Sequence, residues 1–158
     1  MSNVLVAYFS ASGVTAKVAK TLSNEIGATL FEIVPEVHYT NADLNWQDSK
    51  SRSSIEMNDR NCRPAIRTVV ENMNQYDVVF VGFPIWWYRE PSIIDTFMES
   101  YDFSGKTVVP FATSGGSGMG DTVKNMNALS DNANVVEGKR FSANVSANEI
   151  AVWASKWL

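Results

Sequence analysis

The stretch NVLVAYFSASGVTAK, residues 3–17, passes from an apolar segment through a single glycine among small polar residues into a helical pattern. Residues 3–9 are β-branched and aromatic without polar alternation, as a parallel strand covered by helices on both faces requires. Beyond the turn, Val18, Ala19, Leu22 and Ile26 recur at helical spacing, and Gly27 stands where a helix stops. A strand feeding a helix in this way opens a βαβ unit. The turn itself offers the hydroxyls of Ser10, Ser12 and Thr15, a glycine at Gly13 that lets backbone approach closely, and a helix N-terminus that attracts anions. It contains no lysine or arginine, so it is not the G-x-x-x-x-G-K-[ST] nucleotide loop. A phosphomonoester would be held there by neutral donors. The same residues also make an ordinary capped turn, and the turn alone leaves both readings open.

Outward from this unit the alternation continues. Residues 28–34 alternate apolar and polar, as in a strand near a sheet edge. Residues 35–63 form a long irregular excursion, and Pro64 then opens a predicted helix through Ala65, Ile66, Val69, Val70 and Met73. Residues 77–84, DVVFVGFP, are the most continuous apolar run and belong in the middle of the sheet. A short helix at 92–100, a strand at 107–113, a helix at about 122–129, a short strand near 133–136 and a terminal helix at 147–157 follow. Five β/α alternations with right-handed crossovers give a doubly wound α/β sheet.

The 158 residues suit one domain, residues 1–158, with 45% apolar and 19% charged side chains. The net charge of -4 is spread without blocks, which leaves no footprint for nucleic acid. One cysteine, Cys62, and one histidine, His38, exclude a disulfide framework and make an all-protein metal site improbable. No basic leader precedes the first apolar run and no membrane span is expected, so the sequence reads as soluble and cytoplasmic.

Ligands of such sheets bind beyond the carboxyl ends of the strands, where strand order reverses. Two further loops at such ends are chemically unusual. Residues 84–91, PIWWYREP, put Trp86, Trp87 and Tyr88 directly after a central strand, which suits a planar aromatic ligand or, alternatively, a protein interface. Residues 113–121, TSGGSGMGD, carry Gly115, Gly116, Gly118 and Gly120, which implies unusual backbone angles, close contact with a ligand, or mere flexibility.

A phosphate turn after the first strand, aromatics after the third and glycines after the fourth resemble the short-chain flavodoxin-like family, over nearly the whole chain. GFPIWW with ATSGGSG is similar to a bacterial subgroup of that family. The resemblance implies a three-layer αβα sandwich with a five-stranded parallel sheet of order 2-1-3-4-5, and FMN as cofactor. The family's phosphate loop S/T-x-T-G-x-T matches Ser10-Ala11-Ser12-Gly13-Val14-Thr15. Its ring-flanking loops correspond to Pro84, Ile85, Trp86, Trp87 and Tyr88 and to Thr113, Ser114, Gly115, Gly116 and Gly118. Ser12 stands where Thr is usual and Val14 where Asn is common, which implies weaker phosphate anchoring.

Two functions follow from FMN. An oxidoreductase would use a donor such as NAD(P)H and a quinone-like acceptor; a one-electron carrier would exchange electrons with a redox partner protein. Typical flavodoxins are strongly acidic, whereas the charge here is modest. Residues 83–91 lack the glycine whose peptide flips in those carriers, and a side chain resists positive φ, so two-electron chemistry is expected. The excursion can act as a lid in which His38, Tyr39 and Trp46, with Arg52, shape a substrate pocket. It is equally readable as a structural flap or the arm of a homodimer. No catalytic acid or base is identifiable.

Overall fold

The computed structural model describes residues 3–114 and 116–158. Its sheet is parallel and runs β2-β1-β3-β4-β5, the expected order. The strands are β1 (Val4–Tyr8), β2 (Thr29–Glu32), β3 (Val78–Pro84), β4 (Thr107–Thr113), β5 (Asn134–Val135) and β6 (Lys139–Phe141). The helices are α1 (Val14–Ile26), α2 (Arg52–Asn58), α3 (Ser92–Ser100), α4 (Thr122–Ala128) and α5 (Ala147–Ala154). The apolar runs take the middle: β3 lies between β1 and β4, and every residue of it but Pro84 is buried.

Alternate side chains of these strands enter two cores on opposite faces. Leu5, Ala7, Phe9, Val79, Val81 and Phe83 pack on one side with Ile93, Ile94 and Phe97 of α3. Val6, Tyr8, Val78 and Phe80 pack on the other with Val18 and Leu22 of α1 and Trp153 of α5. Burying each such side chain is worth about 1.5–3 kcal/mol, so the central strands could not be polar on either face. At Gly82 a Cβ would lie 2.2 Å from the Phe111 ring, so the smallest residue is required where β3 and β4 cross-pack.

The fifth strand position is split. β5 pairs with β4 at Val108↔Val135, and β6 resumes at Phe111↔Lys139. Val136 N–H donates to Val108 O at 3.0 Å, so Pro110, two residues on, faces the same edge with no N–H to offer. A Cβ on Gly138 would lie 2.0 Å from Pro110 O, which explains the glycine there. The sequence reading missed β6.

The crossover from β2 to β3 departs most from expectation. The predicted helix after Pro64 is absent; Ile66 instead bridges Pro35 in antiparallel fashion. Arg67 N–H donates to Val34 O at 2.7 Å and Glu36 N–H to Ala65 O at 2.9 Å. Val69, assigned to the apolar face of that helix, is 71% exposed. The crossover's helix is α2, inside the excursion that reads as irregular, where the Ser51 side chain caps it by accepting from Ser54 N–H.

Candidate functional site

The pairings Tyr8↔Gly82 and Pro84↔Thr113 set the carboxyl ends of β1, β3 and β4 side by side, and the three unusual loops leave from there. In the first, Gly13 takes φ +95° and its N–H donates to Ser10 Oγ at 3.0 Å, which closes the turn on itself. No side chain caps α1, and its first turn carries no acidic residue. The capped-turn reading therefore fails: the hydroxyls here do not satisfy the helix's free N–H groups. Ser12 and Gly13 are exposed, Val14 is 37% exposed, and Ala11 is half-buried. Thr15 is buried instead, its Oγ1 2.7 Å from Thr113 Oγ1, a hydroxyl pair that ties the first loop to the third.

In the second loop Trp86 and Arg89 exchange backbone hydrogen bonds of 3.0 and 3.1 Å across a two-residue turn. Its central residues, Trp87 and Tyr88, have φ +49° and +62°. Positive φ at both positions is the geometry that Asn-Gly normally supplies, and bulky residues there are strained by about 1–3 kcal/mol each. The missing glycine thus does not keep this loop out of the left-handed region, contrary to expectation. Anchors on both sides hold it. Trp86 packs edge-on to Phe9 at 5.7 Å and Tyr39 at 5.5 Å. Tyr88 O accepts from Asp121 N–H at 3.1 Å, which brings the third loop against the second. Arg89 is buried and its Nη2 donates to Met57 O of α2 at 3.1 Å.

The third loop is braced by a residue that sequence reading overlooked. Arg140, on β6, donates from Nη2 to Ser114 O at 2.6 Å and from Nε to Ser114 Oγ at 3.2 Å. Ser114 Oγ also receives Gly116 N–H at 3.3 Å. Only the pairing Ala112↔Arg140 brings this arginine to the loop, so nothing local in the sequence marks it. Gly116 and Gly118 have open space around them; Gly115 lies outside the described residues.

Between the second and third loops lies a cleft of ≈ 850 Å³, which residues 10–15 of the first loop, Pro84, Thr113 and Ser114 do not line. Ile85, Trp86, Trp87 and Tyr88 form one wall and Gly116 and Ser117 another, while Leu44, Trp46 and Ser53 of the excursion add a third. None of these lining residues is charged. Trp46 and Tyr88 are 70% and 73% exposed at its rim. Leu44 and Ser53 escaped sequence reading because neither residue type signals a ligand.

The other excursion residues hold that wall in place. Arg52 lies 3.8 Å above the Tyr39 ring, donates from Nε to Glu56 at 3.0 Å, and donates to the carbonyls of Val37 and His38. Tyr39 O–H donates to Glu56 at 2.5 Å; burial and that carboxylate push its pKa upward, so it stays protonated. The His38 side chain is exposed and does not line the cleft.

A parallel α/β sheet with three convergent loops at its switch point defines a flavodoxin-like fold. A family model described as Flavodoxin matches residues 3–157, and the chain belongs to the flavodoxin family. A provisionally assigned flavoprotein from Bacteroides eggerthii is 46% identical, covering 99% of this chain and 98% of its own with a TM-score of 0.93. A second, from Bacteroides uniformis, is 43% identical over 98% of both chains, with a TM-score of 0.92. A flavoprotein from Lactobacillus acidophilus, solved in complex with FMN, shares the fold at 24% identity, 99% coverage of both chains and a TM-score of 0.74. No curated protein matches the chain. Among the described residues no helix is long and apolar enough to cross a membrane.

Proposed function

We propose that the protein is an FMN-binding flavoprotein that works as an oxidoreductase on a flat, uncharged molecule of the quinone class. The flavodoxin family and the FMN complex of the Lactobacillus relative support the cofactor. The residues present fit it: an uncapped helix N-terminus beside exposed Ser12 and Gly13 suits a phosphate, and the aromatic cleft suits a ring. Backbone N–H groups of the first turn of α1 and the Ser12 hydroxyl would hold the phosphate, with Ser10 and Thr15 shaping the loop. Ile85, Trp86, Trp87 and Tyr88 on one side and Ser114, Gly116 and Ser117 on the other would hold the ring. FMN, when bound, supplies one- or two-electron transfer.

The observation that carries the oxidoreductase reading is the third wall. Leu44, Trp46 and Ser53 come from the excursion and enclose a side of the cleft that a carrier docking on a partner protein would leave open. The uncharged lining favours a neutral ring and gives the phosphates of NAD(P)H no cation to meet. The test has two stages. FMN added to the apoprotein gives saturable quenching of flavin fluorescence, and 1,4-naphthoquinone then binds the loaded protein saturably. Trp46→Ala weakens the quinone step and spares the FMN step. Loss of neither, with electron exchange only to a partner protein and strong salt dependence, establishes the carrier instead.

A further inference from the structure

Behind the Trp86–Arg89 turn the chain buries three charged side chains, Arg89, Glu90 and Asp95, at 4%, 0% and 3% exposure. Groups from α4 and from the segment after α2 meet them. From α4, Asn125 Nδ2 donates to Glu90 Oε1 at 3.1 Å, while Asn125 Oδ1 accepts from Arg60 at 2.9 Å. Arg89 Nη1 lies 3.8 Å from Glu90 Oε2 and 3.5 Å from Asp95 Oδ2. From the segment after α2, Arg63 Nη1 stands 3.9 Å from Asp95 Oδ2 while its Nε donates to Glu99. Three buried side-chain oxygens have no hydrogen bond among the described residues, and two of them belong to this cluster, Glu90 Oε2 and Asp95 Oδ1; the third is Thr122 Oγ1 of α4.

If both acids were ionised, two unpartnered carboxylate oxygens and two negative charges would crowd the buried Arg89, with only the partly exposed Arg63 nearby. Leaving such groups unpaired is strongly unfavourable. One proton between the two acids removes both faults. It makes one oxygen a donor to the other and leaves a single negative charge opposite Arg89.

We propose that Glu90 and Asp95 share one proton, and that this proton closes the cluster that positions the Trp86–Arg89 turn for the cofactor. Glu90 is thus a positioning residue. Its link to the turn is direct: Arg89 Nη1 donates to Glu90 O at 3.1 Å and Nη2 to Met57 O, while Asn125 ties Glu90 to α4. Burial, and then Asp95, push the Glu90 carboxyl up to about 9, so the proton is retained at neutral pH. Losing it puts a second charge beside Arg89 and frees the strained turn. The positioning clause rests on the FMN reading; the shared proton does not.

The experiment compares wild type with Glu90→Gln, whose amide donates to Asp95 while its oxygen still accepts from Asn125. Urea unfolding of the apoprotein is measured from about pH 5.5 to 8.5, and FMN affinity from about pH 7 to 10. A carboxyl whose folded pKa is raised gives stability that is present at low pH and lost as pH rises to the folded value. The wild-type folding constant should therefore fall about tenfold per pH unit relative to Glu90→Gln across that interval. Relative to its own affinity near neutrality, wild type should bind FMN about tenfold more weakly near pH 10, where roughly a tenth of it keeps the proton, whereas Glu90→Gln should show no such fall. Running the two side by side cancels titration of FMN and of surface groups. Parallel stability curves overturn the shared proton. A stability slope without that fall in wild-type FMN affinity overturns the positioning role. Absence of FMN binding at any pH overturns the cofactor reading and positioning together, while the stability curves still decide the proton. If Glu90→Gln does not fold, Asp95→Asn replaces it, and should reduce the slope, since burial alone still holds the Glu90 carboxyl above its ordinary value; an unchanged slope overturns the shared proton.

Discussion

Gly118 and Gly120 sit two residues apart in the same loop, and replacing each with alanine should give opposite results. Gly120 has φ +54°, and a Cβ there would lie 1.8 Å from Tyr88 O and 2.8 Å from its carbonyl carbon. The left-handed conformation alone disfavours alanine by roughly 1–2 kcal/mol. Relieving the clash means moving the carbonyl that accepts Asp121 N–H, which forfeits about another 1 kcal/mol. Gly120→Ala should thus be destabilised by about 2–3 kcal/mol, a fall in Tm of roughly 4–12 °C for a chain of this size. It should also weaken FMN binding, because Tyr88 lines the cleft. A Cβ on Gly118 would meet nothing within 4 Å, and its φ is not positive, so Gly118→Ala should be neutral or stabilising by up to about 1 kcal/mol. Thermal unfolding followed by circular dichroism, with FMN titration, reads both. Equal effects at the two positions would refute the argument that Gly120 is required by its contact with Tyr88.

Three further outcomes are expected. Replacing Trp87-Tyr88 by Asn-Gly, the pair suited to this turn, should hold or raise stability by up to about 2 kcal/mol while FMN binding weakens at least tenfold; a drop in Tm with binding intact would contradict the strain. Arg140→Ala should weaken FMN binding by about 1–2 kcal/mol through release of Ser114, and an unchanged titration would remove Arg140 from the site. Thr15→Val and Thr113→Val, combined in a double-mutant cycle on stability, should show coupling of about 1 kcal/mol; strict additivity would deny the buried hydroxyl pair.

Strands β1, β3 and β4 and helix α3 were legible in the sequence because their requirement is local. A central parallel strand must be apolar on both faces wherever it comes in the chain, and residues 77–84 and 107–113 are. The three loops were legible only together: each alone also had an ordinary structural reading, but strand ends of such a sheet are where its ligands bind. Residues 64–73 were misread because apolar spacing cannot reveal a partner: Arg67 N–H goes to Val34 O, about thirty residues back, and that bond favours extended chain over a helix. β6 forms where β4 offers a free edge beyond Pro110, and Lys-Arg-Phe carries no strand signal of its own.

The doubly wound sheet and the placing of three loops at its strand ends thus follow from patterns written along the chain, and the strand order from the family resemblance they carry. The working shape of the site does not. Positive φ at Trp87 and Tyr88 runs against the preference of both residues and persists because Arg89, Trp86 and Asp121 hold the turn from three directions. The third wall of the cleft, the brace from Arg140 and the buried meeting of Glu90 with Asp95 each join residues distant in sequence or set by another element's packing. Local propensity acts over a few residues, whereas these contacts exist only once the sheet has set its register and the crossover has closed over it.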